Sequence, residues 1–164
     1  MLARLWLNLF GAWFQLSRWF PLATMHRLRD EIAEGERRHA GELCLAIEPR
    51  FSPLAVLRGL SVRARAQQVF ALLRVWDTQD NSGVLLYLHL AERRVELVAD
   101  RGIAARVDPA LWQALCEDFA TGMRAGPPDA AVSRCLARIN ALLAEHFPAA
   151  EDNPRELPDE PVVL

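Results

Sequence analysis

Between Met1 and Phe20 the apolar residues Leu2, Leu5, Trp6, Leu9, Phe10, Trp13, Leu16 and Phe20 cover one wide face of a helical wheel. Arg4, Asn8, Gly11, Gln15 and Arg18 share a narrow stripe, and the pattern predicts an amphipathic helix over residues 1–20. Pro21 restarts the chain. Leu22, Met25, Leu28 and Ile32 then recur at helical spacing as far as Arg37-Arg38-His39, where Gly41 supplies a stop. Leu43, Leu45 and Ile47 alternate with the small Cys44 and Ala46, so residues 42–48 predict a strand covered on both faces. Pro49 and Pro53 bracket a loop. Ser61 can cap a helix carrying Val62, Ala66, Val69, Phe70, Leu73 and Trp76, which the polar stretch 77–83 ends.

Val84-Leu-Leu-Tyr-Leu-His-Leu90 is nearly continuous in apolar residues and of strand length, hence a central strand in which Tyr87 is buried. Four residues separate it from the run 95–99, the spacing of an antiparallel hairpin. Asp108-Pro109 opens a further helix with Leu111, Leu115, Cys116 and Phe119 on its apolar side. Gly126-Pro127-Pro128 breaks it, and a last helix is predicted from about Asp129 to Phe147. Residues 148–164 hold four prolines and five acids against one arginine, too polar for a core of their own. Val162, Val163 and Leu164 could still add to a sheet edge.

This order predicts a three-layer α/β/α sandwich with a small mixed sheet plus the N-terminal amphipathic helix, divided as 1–20, a domain over 21–147, and a tail over 148–164. The two strands joined across the 61–76 helix should be parallel. The starts of strands 42–48 and 84–90 and the end of 95–99 then share one edge. Glu42, Asp77, Asp80, Asn81 and Asp100 gather there. Carboxylates converging from separate segments repel unless a cation or an arginine compensates. An all-oxygen donor set suits calcium or magnesium. Asp and Asn also form turns and helix termini for backbone reasons, with Arg101 or Arg74 as counter-charge.

Composition narrows the classes. At 164 residues the chain is one ordinary domain, and its 52% hydrophobic and 24% charged residues are globular values. The net charge of −2 argues against nucleic acid as a partner. All nineteen basic residues are arginine, which reads as GC-rich codon usage. Three cysteines without a CxxC spacing suit a reducing compartment. Phosphate-loop, dinucleotide and GxSxG hydrolase signatures are missing from the sequence. The uncharged run between Arg4 and Arg18 is thirteen residues, short of the roughly twenty a membrane span needs, and no small-residue cleavage site follows it. Residues 1–29 carry four arginines and no acid, which suits contact with anionic lipid; packing on its own domain is the other course open to the helix.

The string Arg74-Val-Trp-Asp-Thr-Gln-Asp-Asn-Ser-Gly-Val-Leu-Leu-Tyr87, followed by Val95-Glu-Leu-Val-Ala-Asp-Arg-Gly-Ile103 and preceded by His39-Ala-Gly-Glu42, resembles the TPM domain. That family includes the thylakoid lumen acid phosphatase-like proteins linked to photosystem II repair. The resemblance covers about residues 20–147, and the ending 156–164 resembles a bacterial subgroup. It implies an α/β/α sandwich and, in some members, calcium held by acidic loop residues. Those positions correspond to Asp80 and Asn81 before Gly83 and to Asp100 before Gly102. Where the subgroup commonly has acids, this chain has Gln79 and Ala64. The resemblance also implies company with LemA-like membrane proteins and, from plant relatives, phosphatase activity. Two functions are therefore carried forward. One is a cytoplasmic binding or scaffold module, peripheral to the inner membrane, that binds a divalent cation and is free to self-associate. The other is a metal-dependent phosphatase acting on phosphate esters.

Overall fold

The structure, a computed structural model, describes residues 2–10, 13–149 and 155–164, without the side chains of Phe10, Trp13, Phe14 and Arg124. The described residues of the segment expected to be helical form α1 (Leu2–Phe10) and α2 (Trp13–Trp19), and residues 11 and 12 between them lie outside the described residues. Helix α2 leads through Phe20, buried in the core, into α3 (Leu22–Glu36). The strands fall where the apolar runs place them: β1 (Glu42–Glu48), β2 (Gly83–His89) and β3 (Arg94–Ala99). The loop bracketed by Pro49 and Pro53 leads into a short helix, α4 (Pro53–Leu57), opened by the Ser52 hydroxyl, which accepts from the Ala55 amide. Ser61 caps α5 (Val62–Leu72) in the same way, and Asp100 opens the single turn α6 (Arg101–Ala104). Helices α7 (Pro109–Ala125) and α8 (Pro128–His146) and a two-residue strand, β4 (Val162–Val163), complete the chain.

The sheet runs β3-β2-β1-β4. β1 and β2 are parallel with Glu42 opposite Gly83, and β2 and β3 are antiparallel with Val84 opposite Ala99. Every residue of β1 and β2 is buried, as strands covered on both faces must be. One face, with Leu43, Leu45, Ile47, Leu86 and Leu88, packs against α3, α7 and α8. The other, with Ala46, Leu85 and Tyr87, packs against α4 and α5. The α/β/α layering expected from the element order is thus present. Tyr87 is fully buried, and its hydroxyl donates to Glu48 at 2.6 Å, where Arg65 completes the pair at 2.8 Å.

The described end of the tail, residues 155–164, is extended, as its composition predicts, and it is docked. β4 lies parallel to β1, with Ala46 opposite Val162. The Leu164 amide donates to Ile47 at 3.0 Å, and Leu157 and Leu164 join the apolar cluster under α5. β4 covers the free side of β1, so two residues shield an edge that would otherwise expose unpaired amides.

Candidate functional site

Two ends of the sheet differ sharply in chemistry. At the end where β1 and β2 begin, the ladder brings Glu42, residues 81–83 and Asp100 together. The Glu42 amide donates to Ser82 at 3.1 Å and the Asp100 amide to Gly83 at 2.8 Å. Close backbone approach fixes this corner. A Cβ on Gly83 would lie 1.8 Å from the Val75 carbonyl oxygen, and one on Gly102 would lie 2.4 Å from that of Asp80, so both positions require glycine. The co-location read from the sequence is therefore found for the backbone.

The side chains at this corner go to separate partners. Glu42 is buried and accepts from the Leu157 amide at 3.0 Å, and burial raises its pKa. Asn81, at a positive φ of 52°, accepts from Arg101 Nη2 at 3.1 Å. Asp77 and Asp80 are exposed. Asp100, 7% exposed, caps α6 through Oδ1, which accepts from the Arg101 amide at 2.7 Å. Its Oδ2 is buried and finds no partner among the described residues. Among those residues no group of three or more His, Cys, Asp or Glu side chains is disposed to hold a metal.

Acids from outside the expected set also gather here. Glu156 receives the Gln79 amide on both carboxylate oxygens, at 2.9 and 3.1 Å. Glu36, buried at the end of α3, accepts from the Leu43 amide at 2.9 Å and meets Asp159 of the tail. Burial, followed by the charges of Glu42 and Asp159, pushes its pKa well up. Tail acids were legible in the sequence only as a solvated run, because nothing local shows that they return to β1.

Cys44 and His89, the thiol and the imidazole that fall inside β1 and β2, are both buried. Burial pushes the Cys44 thiol up to about 12 and the His89 imidazole down to about 4. His39 is enclosed between the Gly41 carbonyl and the Asn140 side chain.

The opposite end, where β1 and β2 finish, carries α1, and its orientation inverts the usual amphipathic arrangement. The polar stripe faces the protein. Arg4 pairs with Glu92 in the β2–β3 turn at 2.6 Å and donates to the Leu60 carbonyl at 2.5 Å. Asn8 is buried; it accepts from the Phe51 amide at 2.7 Å and donates to Glu92 at 3.3 Å. Leu5 packs on the core, while Leu2, Trp6, Leu7 and Leu9 point outward, with Trp6 63% and Leu2 73% exposed. Leu54 and Leu57 on the adjoining α4 are more than half exposed. Arg50 and Arg58 flank α4, are exposed, and form no ion pair with any described residue. Neither residues 1–29 nor residues 49–61 include an acid. The helical wheel grouped these residues correctly but could not say which face would turn toward the domain.

Of the remaining aromatics of the segment, Trp19 packs partly against the core under α3 and Phe20 lies within it; the side chains of Phe10, Trp13 and Phe14 lie outside the described ones. No described helix is long and apolar enough to cross a membrane.

The TPM domain model matches residues 19–142 of the chain. No curated protein matches significantly. Among solved structures, the NMR structure of the BA42 protein from the psychrophilic bacterium Bizionia argentinensis superposes with a TM-score of 0.77. It is 22% identical and aligns over 87% of this chain and 93% of that one. This likeness establishes the common fold.

Proposed function

Taking as premise that the chain belongs to the TPM domain family, we propose that it is a binding module that docks on the surface of an anionic membrane through α1 and α4. The observation that supports this reading is the inversion of α1. Arg4 and Asn8 are spent on internal partners while Leu2, Trp6, Leu7 and Leu9 stand exposed on the outward face. A group of large apolar side chains exposed together marks a contact surface rather than ordinary surface composition. Each such side chain gains about 1.5–3 kcal/mol on full burial, and each arginine near an anionic surface about 1 kcal/mol. Arg50 and Arg58 stand where they would meet headgroups while Trp6, Leu54 and Leu57 enter the interface. Such a module would present its acidic end and docked tail to the cytoplasm and to a membrane-protein partner.

Vesicle flotation of the full chain tests the reading. The wild type should float with vesicles containing phosphatidylglycerol, and a Leu2→Ser, Trp6→Ser, Leu57→Ser variant should remain at the bottom. Equal behaviour of the two proteins rejects the docking face.

A second reading, a divalent-ion site at the acidic end, is supported by Asp100 Oδ2, a buried carboxylate oxygen without a partner among the described residues. Asp77 and Asp80 lie on the adjacent exposed loop. Glu42 and Asn81 would have to give up Leu157 and Arg101 to contribute oxygen ligands. Calcium or magnesium bound there would polarise a phosphoryl oxygen in the phosphatase alternative. A ligand at 100 times its dissociation constant stabilises the folded state by about 2.7 kcal/mol. Millimolar calcium should therefore raise the melting temperature relative to chelator, and Asp80→Ala with Asp100→Ala should abolish the rise. An unchanged melting temperature removes the ion.

A further inference from the structure

Beside α1 the same end of the molecule holds a cavity of about 510 Å³, between the α2–α3 corner, the β2–β3 turn and the α7–α8 corner. Arg18 and Arg93 approach it from two of these elements, and Trp19, Met123 and Pro127 contribute an apolar wall. Both arginines are exposed, and neither guanidinium makes a hydrogen bond or ion pair with a described residue. The one acid in the lining, Asp129, is already matched by Arg27, whose Nη2 lies 3.0 Å from Asp129 Oδ2.

Arg93 also sits at a positive φ of 48°, a conformation that glycine or asparagine adopts more readily than arginine. Backbone strain at a turn is not itself a site, but it places a guanidinium rather than a small side chain at the cavity mouth. The neighbouring residue, Glu92, is the one that Arg4 and Asn8 hold, so the turn couples the cavity directly to α1. Two unpaired guanidiniums above an apolar wall are chemically suited to an anion attached to something apolar. Arginine presents a planar fork that matches phosphate oxygens in pairs.

We propose that the cavity between Arg18 and Arg93 takes the phosphodiester of an anionic phospholipid headgroup, with its glycerol end against Trp19, Met123 and Pro127. This deepens the membrane reading and rests on it for the source of the phosphate. The apolar face of α1 brings the protein to the bilayer, and the cavity then selects an anionic lipid from among neutral ones.

Two measurements on the full chain test the proposal. In the first, wild type, Arg18→Gln/Arg93→Gln and Arg50→Gln/Arg58→Gln are compared on phosphatidylcholine vesicles with and without phosphatidylglycerol. Both variants lose two charges. Loss of the α4 pair should lower the preference for phosphatidylglycerol about thirtyfold, the effect of two superficial arginines, and loss of the cavity pair about tenfold more than that. In the second, the Arg18 and Arg93 Nε–H resonances are followed during titration with a short-chain, monomeric phosphatidylglycerol and with inorganic phosphate. A saturable shift with the lipid, absent with phosphate at the same concentration, is the expected result. Equal effects of the two charge pairs would overturn the cavity and leave only diffuse attraction. Equal response to inorganic phosphate would overturn the lipid assignment. If the wild type fails to float with any vesicle while the short-chain lipid still shifts both arginines, the docking face falls and the cavity stands.

Discussion

His89 provides a test of how tightly α1 closes the end of the sheet. Its ring is fully buried with its centroid 4.0 Å from that of Phe51, and Nδ1 accepts the Glu92 amide at 3.2 Å. That bond fixes the neutral form with the proton on Nε2. Burial pushes the pKa from 6.5 down to about 4. The folded protein therefore binds fewer protons than the unfolded chain between these values. The resulting stability is present above pH 6.5 and is lost as pH falls toward 4. With those two pKa values the loss is about 2 kcal/mol at pH 5 and about 3 kcal/mol once both states are charged. Glu36 works in the opposite direction over the same range, because its pKa is raised by burial, so the wild-type profile alone does not isolate His89. A double difference does. Urea unfolding of wild type and His89→Gln at pH 7 and pH 5 should show the gap in stability between them shifting by about 2 kcal/mol in favour of the variant on acidification. A gap unchanged within about 0.5 kcal/mol would refute the reasoning, since it would mean that the ring is hydrated or able to charge in place.

Asn8→Ala should leave the buried Phe51 amide without its acceptor and so cost about 1–3 kcal/mol, read as a lower denaturation midpoint with faster proteolysis inside residues 1–20; an unchanged midpoint would show that α1 is not seated on Phe51. Glu36→Gln keeps an acceptor for the Leu43 amide and removes the acid whose pKa is pushed up to about 9. The wild type should lose stability as pH rises from about 5 through 9 and the variant should lose less, which paired thermal melts across that range will show; parallel profiles would place Glu36 in contact with water.

Much of the sheet could be read in the sequence because β1 and β2 are buried on both faces, and such strands announce themselves as apolar runs. The parallel pairing followed from the length of the connection through α5, and the hairpin from the four residues before β3. The same topology correctly brought Glu42, residues 81–83 and Asp100 to one edge. What it could not supply was the destination of each side chain. Leu157 takes Glu42 across 115 residues, and Arg101 takes Asn81 through a bond that depends on the positive φ of Asn81 and the close approach of Gly102. The short helices α4 and α6 leave no trace in the hydrophobic pattern, because a single capped turn has too few residues to show periodicity. That Val162, Val163 and Leu164 could add to a sheet edge was readable from their composition, but which edge was not, because the free side of β1 is defined only by the finished sheet. Helical periodicity fixed which residues of α1 stand together, whereas the inward turn of its polar side depends on Glu92 and Phe51, 88 and 43 residues away from Arg4 and Asn8 respectively.

Quenching of tryptophan fluorescence by brominated phospholipid measures directly whether the outward face of α1 enters a bilayer. Trp6, 63% exposed on α1, and Trp76, 50% exposed at the acidic end beside Asp77, stand at opposite ends of the sheet. With vesicles containing phosphatidylglycerol, wild-type emission should be quenched, the Trp6→Phe protein should lose a substantial part of that quenching, and Trp76→Phe should keep it. Absence of quenching in the wild type, or quenching that disappears with Trp76 and survives without Trp6, would contradict docking through α1.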